Sequence, residues 1–468
     1  MPSEKTSINH HDIFHYMRCP TFATLYASES EKDPERPYLI HEALKQVHYD
    51  EVRHDAVLNE QSCTALLKSS ERICFNRPQI QQSNLYSQPD IVIIHDKKVE
   101  ILQVNLGFQP TQTEKIALAF SAYCLQKLGF SISKLTLLCV SDSHKADRPI
   151  FFKRMMMTYS LMKQFSKIKH IVHTLQSKQD ISPSLGKRCF KPKSCSFFSN
   201  CWTQEKDWDI FRLFGMPIKK KLSYFETGVK SYDDIQNTVT DLSQTQTHQI
   251  AVDKTQMPYI NQSKLDEFYA SLQFPLSCFD IEAVQFILPP FPDLKPFSYL
   301  PFLFSFHHLD EHFNVIEDDS DLFYPDTDTR LDFVKTLIQR LRHAKSIVVF
   351  DATLERAILH QLMGLYPGYR NELERICKAF VYIAPLFTDR HIILPGMNGK
   401  CSLKSILPCI DKSLSFDNLT VSSGFDASFE YKKLRYDSAV DKEKLSTQLK
   451  RYCHMDTLAL AKIVKFFS

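Results

Sequence analysis

Two blocks of alternating strand and helix patterns, separated by a more polar stretch, constrain this chain most. Short apolar, β-rich runs that alternate with helix-period runs form layered α/β units and exclude all-helical or all-β architectures. In the first block, residues 8–28 and 39–62 read as helices. LYSQPDIVIIHDKKVEILQVN (85–105) reads as two strands around HDKK, 113–129 as a helix, KLTLLCV (134–140) as a buried strand and 150–178 as a helix. Residues 203–271 read as a helical linker. Within it, KSYDDIQNTVTDLSQTQTHQ (230–249) is the linker proper, because it has few large apolar residues. The second block starts at 272. It has strands at FPLSCFDIEA, YLPFLFSFHHL (299–309) and 313–319, a helix over 328–342, the buried strand SIVVF (346–350) running into a helix, and a last helix over 441–467.

At 468 residues, the chain is long enough for two or three cores. A net charge of +3 tolerates nucleic acid without demanding it. The start, MPSEKTSINHHDIF, has no apolar stretch of the signal-peptide kind, and no apolar run approaches a membrane span. The 13 cysteines therefore read as thiols or metal ligands of a cytoplasmic protein. Only 10 glycines are present, and no glycine-rich phosphate loop is found.

Four acids stand out in the second block. Asp280 and Glu282 lie i, i+2 on a strand and so share a face. Glu355 falls in the first turns of the helix after SIVVF, and Asp456 lies on the last helix, four residues after Tyr452 and on its face. Buried strands rarely carry two acids, because isolated charges there are costly. Hard carboxylate oxygens converging from several elements suit a pair of Mg²⁺ or Mn²⁺ ions, the arrangement used for phosphodiester cleavage. Strand–strand–strand–helix–strand–helix is the order of an RNase H-like core. FDIE, DATLE and YCHMD resemble the three exonuclease motifs of the DnaQ-like superfamily, in its tyrosine subclass. More closely, CFDIEAVQFILPPFPDLKPFSYLPFLFSFHHL, CSLKSILP and YCHMDTLAL resemble the bacterial domain of unknown function 2779, over 272–468. The resemblance implies a metal-dependent 3′→5′ exonuclease with Asp280, Glu282, Glu355 and Asp456 as ligands and Tyr452 positioning water. Asp351 departs from it, standing where the family has Asn. CSLKSILP reads as a packing segment, with Lys404 as an alternative phosphate contact.

Cys189, Cys195 and Cys201 recur at six-residue steps, without the close CxxC pairs of most zinc sites, and Cys19 lies far upstream. One distant cysteine plus three clustered ones resembles the iron–sulfur nucleases of the RecB-like, PD-(D/E)XK superfamily, over 8–202. There the resemblance implies a [4Fe–4S] cluster on Cys19, Cys189, Cys195 and Cys201; zinc and unmetallated thiols remain the alternatives. RecB-like sites use an Asp, then Glu-x-Lys on the next strand. This chain has Asp90, but Gln103 and Asn105 in place of Glu and Lys, and Ser121 near the place of a helix Gln. Glu100 lies on the opposite face of its strand. The first site therefore reads as degenerate: a module over 1–202 that binds nucleic acid, DNA before RNA, without cutting it. Two rivals stand beside the exonuclease reading: a catalytically silent iron–sulfur adaptor, and a RecB-like nuclease acting through the first site.

Overall fold

In the computed structural model, residues 7–25, 33–145, 148–177, 183, 185–191, 195, 197–201 and 208–468 are described. The fold is mixed α/β, in two compact units: Met1–Gln204 with Ile287–Phe297, and Glu205–Phe286 with Ser298–Ser468. Among the described residues, no helix is long and apolar enough to cross a membrane.

The first unit is built on a six-stranded mixed sheet. Its order is Glu51–His54, Ile73–Asn76, Ile91–His95, Lys98–Asn105, Ser131–Val140, Phe152–Met156. Lys98–Asn105 and Ser131–Val140 pair in parallel, joined by the helix Gln112–Lys127. Thr111 and Glu114 form a capping box at its start, satisfying amides that the first turn leaves open. Asp96 and Lys97, in the HDKK turn, adopt positive φ of 47° and 62°, which closes the hairpin.

The helix read over 39–62 is instead a helix Arg36–Leu44, two strands, Glu51–His54 and Val57–Leu58, and a helix Glu60–Leu66. Glu51–His54 is a largely exposed edge strand, so its sequence carries no apolar alternation. The helix read over 150–178 begins with a strand, Phe152–Met156, whose pairing with Ser131–Val140 overrides the helix preference of a methionine run. The helix read over 8–28 breaks at Cys19, where Pro20 starts a second helix; residues 26–28 lie outside the described ones.

The second unit takes in most of the polar stretch as folded helices. Residues 230–249 form helix Tyr232–Thr238 and the start of helix Gln244–Thr255, begun by capping boxes at Ser231 and Ser243. Buried amides do there what apolar side chains do elsewhere. Gln246 donates to the Phe214 carbonyl (2.8 Å), and Gln249 accepts from Phe214 N (2.8 Å) and donates to Arg212 O (2.9 Å).

A five-stranded sheet forms the centre of this unit, in the order Val315–Leu322, Tyr299–Leu309, Leu276–Gln285, Ser346–Val349, Phe380–Tyr382. The first two pairings are antiparallel and the last two parallel. Alternation decides its faces. Phe279, Ile281, Phe304 and Phe306 pack with Phe333, Leu337, Ile358, Leu362 and Ile376 into a core on one face. Asp280, Glu282 and Ser305 therefore point to the other. There the C-terminal helix Lys442–Phe467 packs across the three antiparallel strands.

Candidate metal centre

Asp280 and Glu282 stand together on the central strand, and a bulge follows at once. The pairing steps from Glu282↔Leu303 to Ala283↔Pro301. Proline has no N–H for the ladder, so a bulge opposite Pro301 is its natural place. Asp456 comes down from the C-terminal helix. One oxygen each from Asp280, Glu282 and Asp456 lies within 4.8 Å of the other two. Glu355, 5% exposed in the first turn of helix Thr353–Leu365, is the fourth acid; it stands outside this 4.8 Å set but raises the pKa of both Asp280 and Glu282.

The electrostatics are those of a cation site. Burial, then Asp456, Glu282 and Glu355, push Asp280 well above the carboxylate range. Burial pushes Glu282 to about 8 against the pull of Lys404, and pushes Glu355 and Asp456 to about 7. Among the described residues no ion pair meets any of the four, and the buried Glu355 Oε2 has no hydrogen-bond partner. Clustered buried acids without cations are destabilising unless protonated or bound to metal, so the donor set fits hard divalent ions.

Tyr452 is buried on the same face of the helix as Asp456. Burial, with Asp456, Glu282 and Asp280 beside it, raises its phenol far above the usual value. Asp351 stands outside the 4.8 Å set: its Oδ1 accepts from Thr353 N (3.0 Å) and Thr353 Oγ1 (2.6 Å) at the start of the helix, a role Asn would fill equally, but its charge adds to the push on Glu355.

Several neighbours border the acids, and all but Lys404, already named as an alternative phosphate contact, escaped the sequence reading. Lys404, placed there chiefly in a packing segment, has its ammonium 5.1 Å from the Tyr452 ring centre and bonds the Ser422 carbonyl. A methyl group on Gly424 would lie 3.3 Å from Glu282 Oε2, so this glycine lets the helix Gly424–Tyr436 begin against the carboxylate. Cys453 Sγ lies 3.7 Å from Asp280 Oδ2, and Ser305 Oγ donates to Cys453 O at 2.7 Å. Of these, Cys453 had a signal, its place beside Tyr452; Gly424 had none.

In the first unit, Asp90 is held by Arg36 through two contacts, Nη2–Oδ2 at 2.8 Å and Nε–Oδ1 at 3.2 Å; Val104 N also donates to Oδ2 at 2.7 Å. Gln103 and Asn105 are buried, and Asn105 donates to the Gly107 carbonyl and to Cys139 Sγ. Ser121 pairs with Ser87 at 2.7 Å. Glu100 faces Lys134 (3.2 Å) and Arg72 (3.6 Å). The guanidinium of Arg36 thus stands on Asp90 where a metal ion would compete for it.

Cys19, Cys189, Cys195 and Cys201 line one pocket, walled by Phe22, Phe197 and Phe198. Burial first, then the neighbouring thiols, raises Cys189 and Cys201. Among the described residues no three thiols lie within 4.8 Å of one another. Tetrahedral zinc, with Zn–S bonds of about 2.3 Å, needs thiolates under about 4 Å apart.

Residues 277–402 match the family described as "Domain of unknown function (DUF2779)". That range contains Asp280, Glu282 and Glu355 and ends before Tyr452 and Asp456. The chain is also similar to "Uncharacterized protein MG366" of Mycoplasma genitalium, 27% identical over 135 residues, covering 26% of this chain and 20% of that protein. The chain thus spans about a fifth of the length of this relative. No solved structure matches.

Proposed function

We propose that the second unit is an RNase H-like, DnaQ-like 3′→5′ exonuclease acting on nucleic acid, with DNA favoured over RNA. The observation that carries the proposal is the convergence of Asp280, Glu282 and Asp456 within 4.8 Å, from a strand and a helix far apart in sequence, with Lys404 nearby but no ion pair to any of them among the described residues. Glu355, with its bare buried oxygen, completes a four-carboxylate set for two Mg²⁺ or Mn²⁺ ions. Bound there, such ions supply Lewis acidity toward a water and charge compensation at the leaving oxygen. The chain's own groups supply the rest. Asp280 and Glu282 set the floor of the site on a strand clamped between two others. Tyr452, whose phenol is raised by burial and the neighbouring acids, is placed beside Asp456 to orient the attacking water by hydrogen bonding. Lys404 brings one positive charge beside Glu282 and Asp456, within reach of a substrate phosphate.

For the first unit we propose a degenerate RecB-like module that binds nucleic acid and does not cut it. The Arg36–Asp90 pair supports the loss of metal binding there. The four-cysteine pocket supports a [4Fe–4S] cluster on Cys19, Cys189, Cys195 and Cys201, which would tie the two ends of the module together, with zinc as the alternative.

End-labelled DNA and RNA, incubated with Mn²⁺ or Mg²⁺, test the reading. Wild type purified without oxygen is expected to shorten substrates stepwise from the 3′ end. An Asp280→Asn/Glu282→Gln variant is expected to be inactive. Binding without cleavage by wild type would replace the enzyme with an adaptor. Cleavage that survives the double substitution but falls on Asp90→Ala would move the activity to the first unit.

A further inference from the structure

We infer that the second unit carries a separate transition-metal site, made of His307, Asp318 and His454, which takes Zn²⁺. The inference is independent of the exonuclease proposal. One ligand atom from each residue lies within 4.8 Å of the other two. The three come from three elements: His307 from strand Tyr299–Leu309, Asp318 directly opposite it on Val315–Leu322, and His454 from the C-terminal helix. His454 Nε2 contacts Asp318 Oδ1 at 2.9 Å, and the two imidazoles are tilted 51° to each other with centres 4.6 Å apart.

Hydrogen-bond bookkeeping prepares the buried histidine. Ser305 Oγ gives its proton to the Cys453 carbonyl (2.7 Å), and Thr457 Oγ1 gives its own to the His454 carbonyl (3.2 Å). His307 Nδ1 lies 2.9 Å from Thr457 Oγ1, and the tautomer decides which of the two donates. The tautomer with the proton on Nδ1, donated to Thr457 Oγ1, leaves Nε2 without a proton and able to bind metal. A ligating histidine whose other nitrogen is held by an oxygen is the usual outer-shell arrangement. His307 is 1% exposed, whereas Asp318 is exposed and His454 partly so. The rigid ligand thus lies at the base, and the two movable ones can close to the bond lengths of about 2.0–2.2 Å that zinc requires. Binding displaces the proton His454 Nε2 shares with Asp318, and the neutral ring then carries its proton on Nδ1.

Ligand type separates this site from the carboxylates. Two imidazoles and one carboxylate select Zn²⁺ over Mg²⁺, whereas oxygen-only ligands suit Mg²⁺. His454 and Asp456 are two residues apart on a helix, roughly 200° around its axis, so the sites lie on different sides of it. A bound ion would cross-link the two strands to the helix that presents Tyr452 and Asp456.

The test is Zn²⁺ content and thermal midpoint of the full chain, stripped with EDTA and refilled with Zn²⁺ in excess Mg²⁺. Wild type and Asp280→Asn/Glu282→Gln are expected to bind one more Zn²⁺ per chain than Asp318→Asn/His454→Gln, and to gain a higher midpoint that this variant does not. Thr457→Val, which frees His307 Nδ1 without touching a ligand, is expected to weaken Zn²⁺ binding roughly 10–100-fold. Equal Zn²⁺ content in all four proteins, each with a wild-type circular dichroism spectrum, overturns the inference. If the double variant does not fold, His454→Gln alone, at a partly exposed position, decides the same comparison.

Discussion

At the scale of single residues, two side chains should separate chemistry from scaffold. Tyr452→Phe keeps the ring against Lys404 and Phe416 and removes only the hydroxyl. It should lower kcat roughly 10²-fold or more with little change in thermal midpoint; an unchanged kcat would remove Tyr452 from the mechanism. Arg36→Ala should act the other way. It leaves Asp90, 4% exposed, as a buried charge with one backbone donor. Loss of a partner of this kind costs roughly 3–5 kcal/mol, which urea titration would read, while exonuclease activity of the folded protein should persist. Both residues were visible in the sequence, but only Tyr452 was given a role. Arg36 lies 54 positions from Asp90, and no local pattern marks a pair so distant.

At the scale of elements, the C-terminal helix is the piece on which the proposed site depends. It is fixed to the sheet by Ser305, whose hydroxyl reaches Cys453 O and Thr457 Oγ1. Ser305→Ala should cost about 1–2 kcal/mol, the value of a buried hydrogen bond. It should also speed hydrogen exchange along that helix more than along the outer strands; equal protection would show that apolar packing alone holds the helix. Elements of this kind were readable: residues 299–309 and 441–467 carry strong periodicity, and the structure has strands and helices within a residue of those bounds. Glu51–His54 and Phe152–Met156 were not readable. Both are edge strands, whose backbone partners rather than their side chains decide their state.

At the scale of the whole molecule, the proposed metal centre predicts that stability depends on metal and pH together. Glu282, Glu355 and Asp456 have folded values of about 8, 7 and 7, above those of an unfolded chain. The unfolded state therefore releases its protons first as pH rises, and the folded state loses relative stability through that window. In EDTA the thermal midpoint should fall between about pH 5 and pH 8. Divalent ions bind the deprotonated acids and should remove most of that fall. A midpoint that ignores Mg²⁺ at about pH 8 would contradict the metal centre.

By itself the sequence determined the alternation of strands and helices in two blocks, the shared face of Asp280 and Glu282, and the pairing of Tyr452 with Asp456 on one side of a helix. These follow from fixed periods of 2 and 3.6 residues, which need no knowledge of distant neighbours. Tertiary structure alone decided that Asp456 meets Asp280, that Lys404 and Gly424 border the acids, that Arg36 covers Asp90, and that His454 turns toward His307 and Asp318. Each is a contact between segments far apart in the chain, set by which faces the sheet and helices bury together, and no local spacing encodes it.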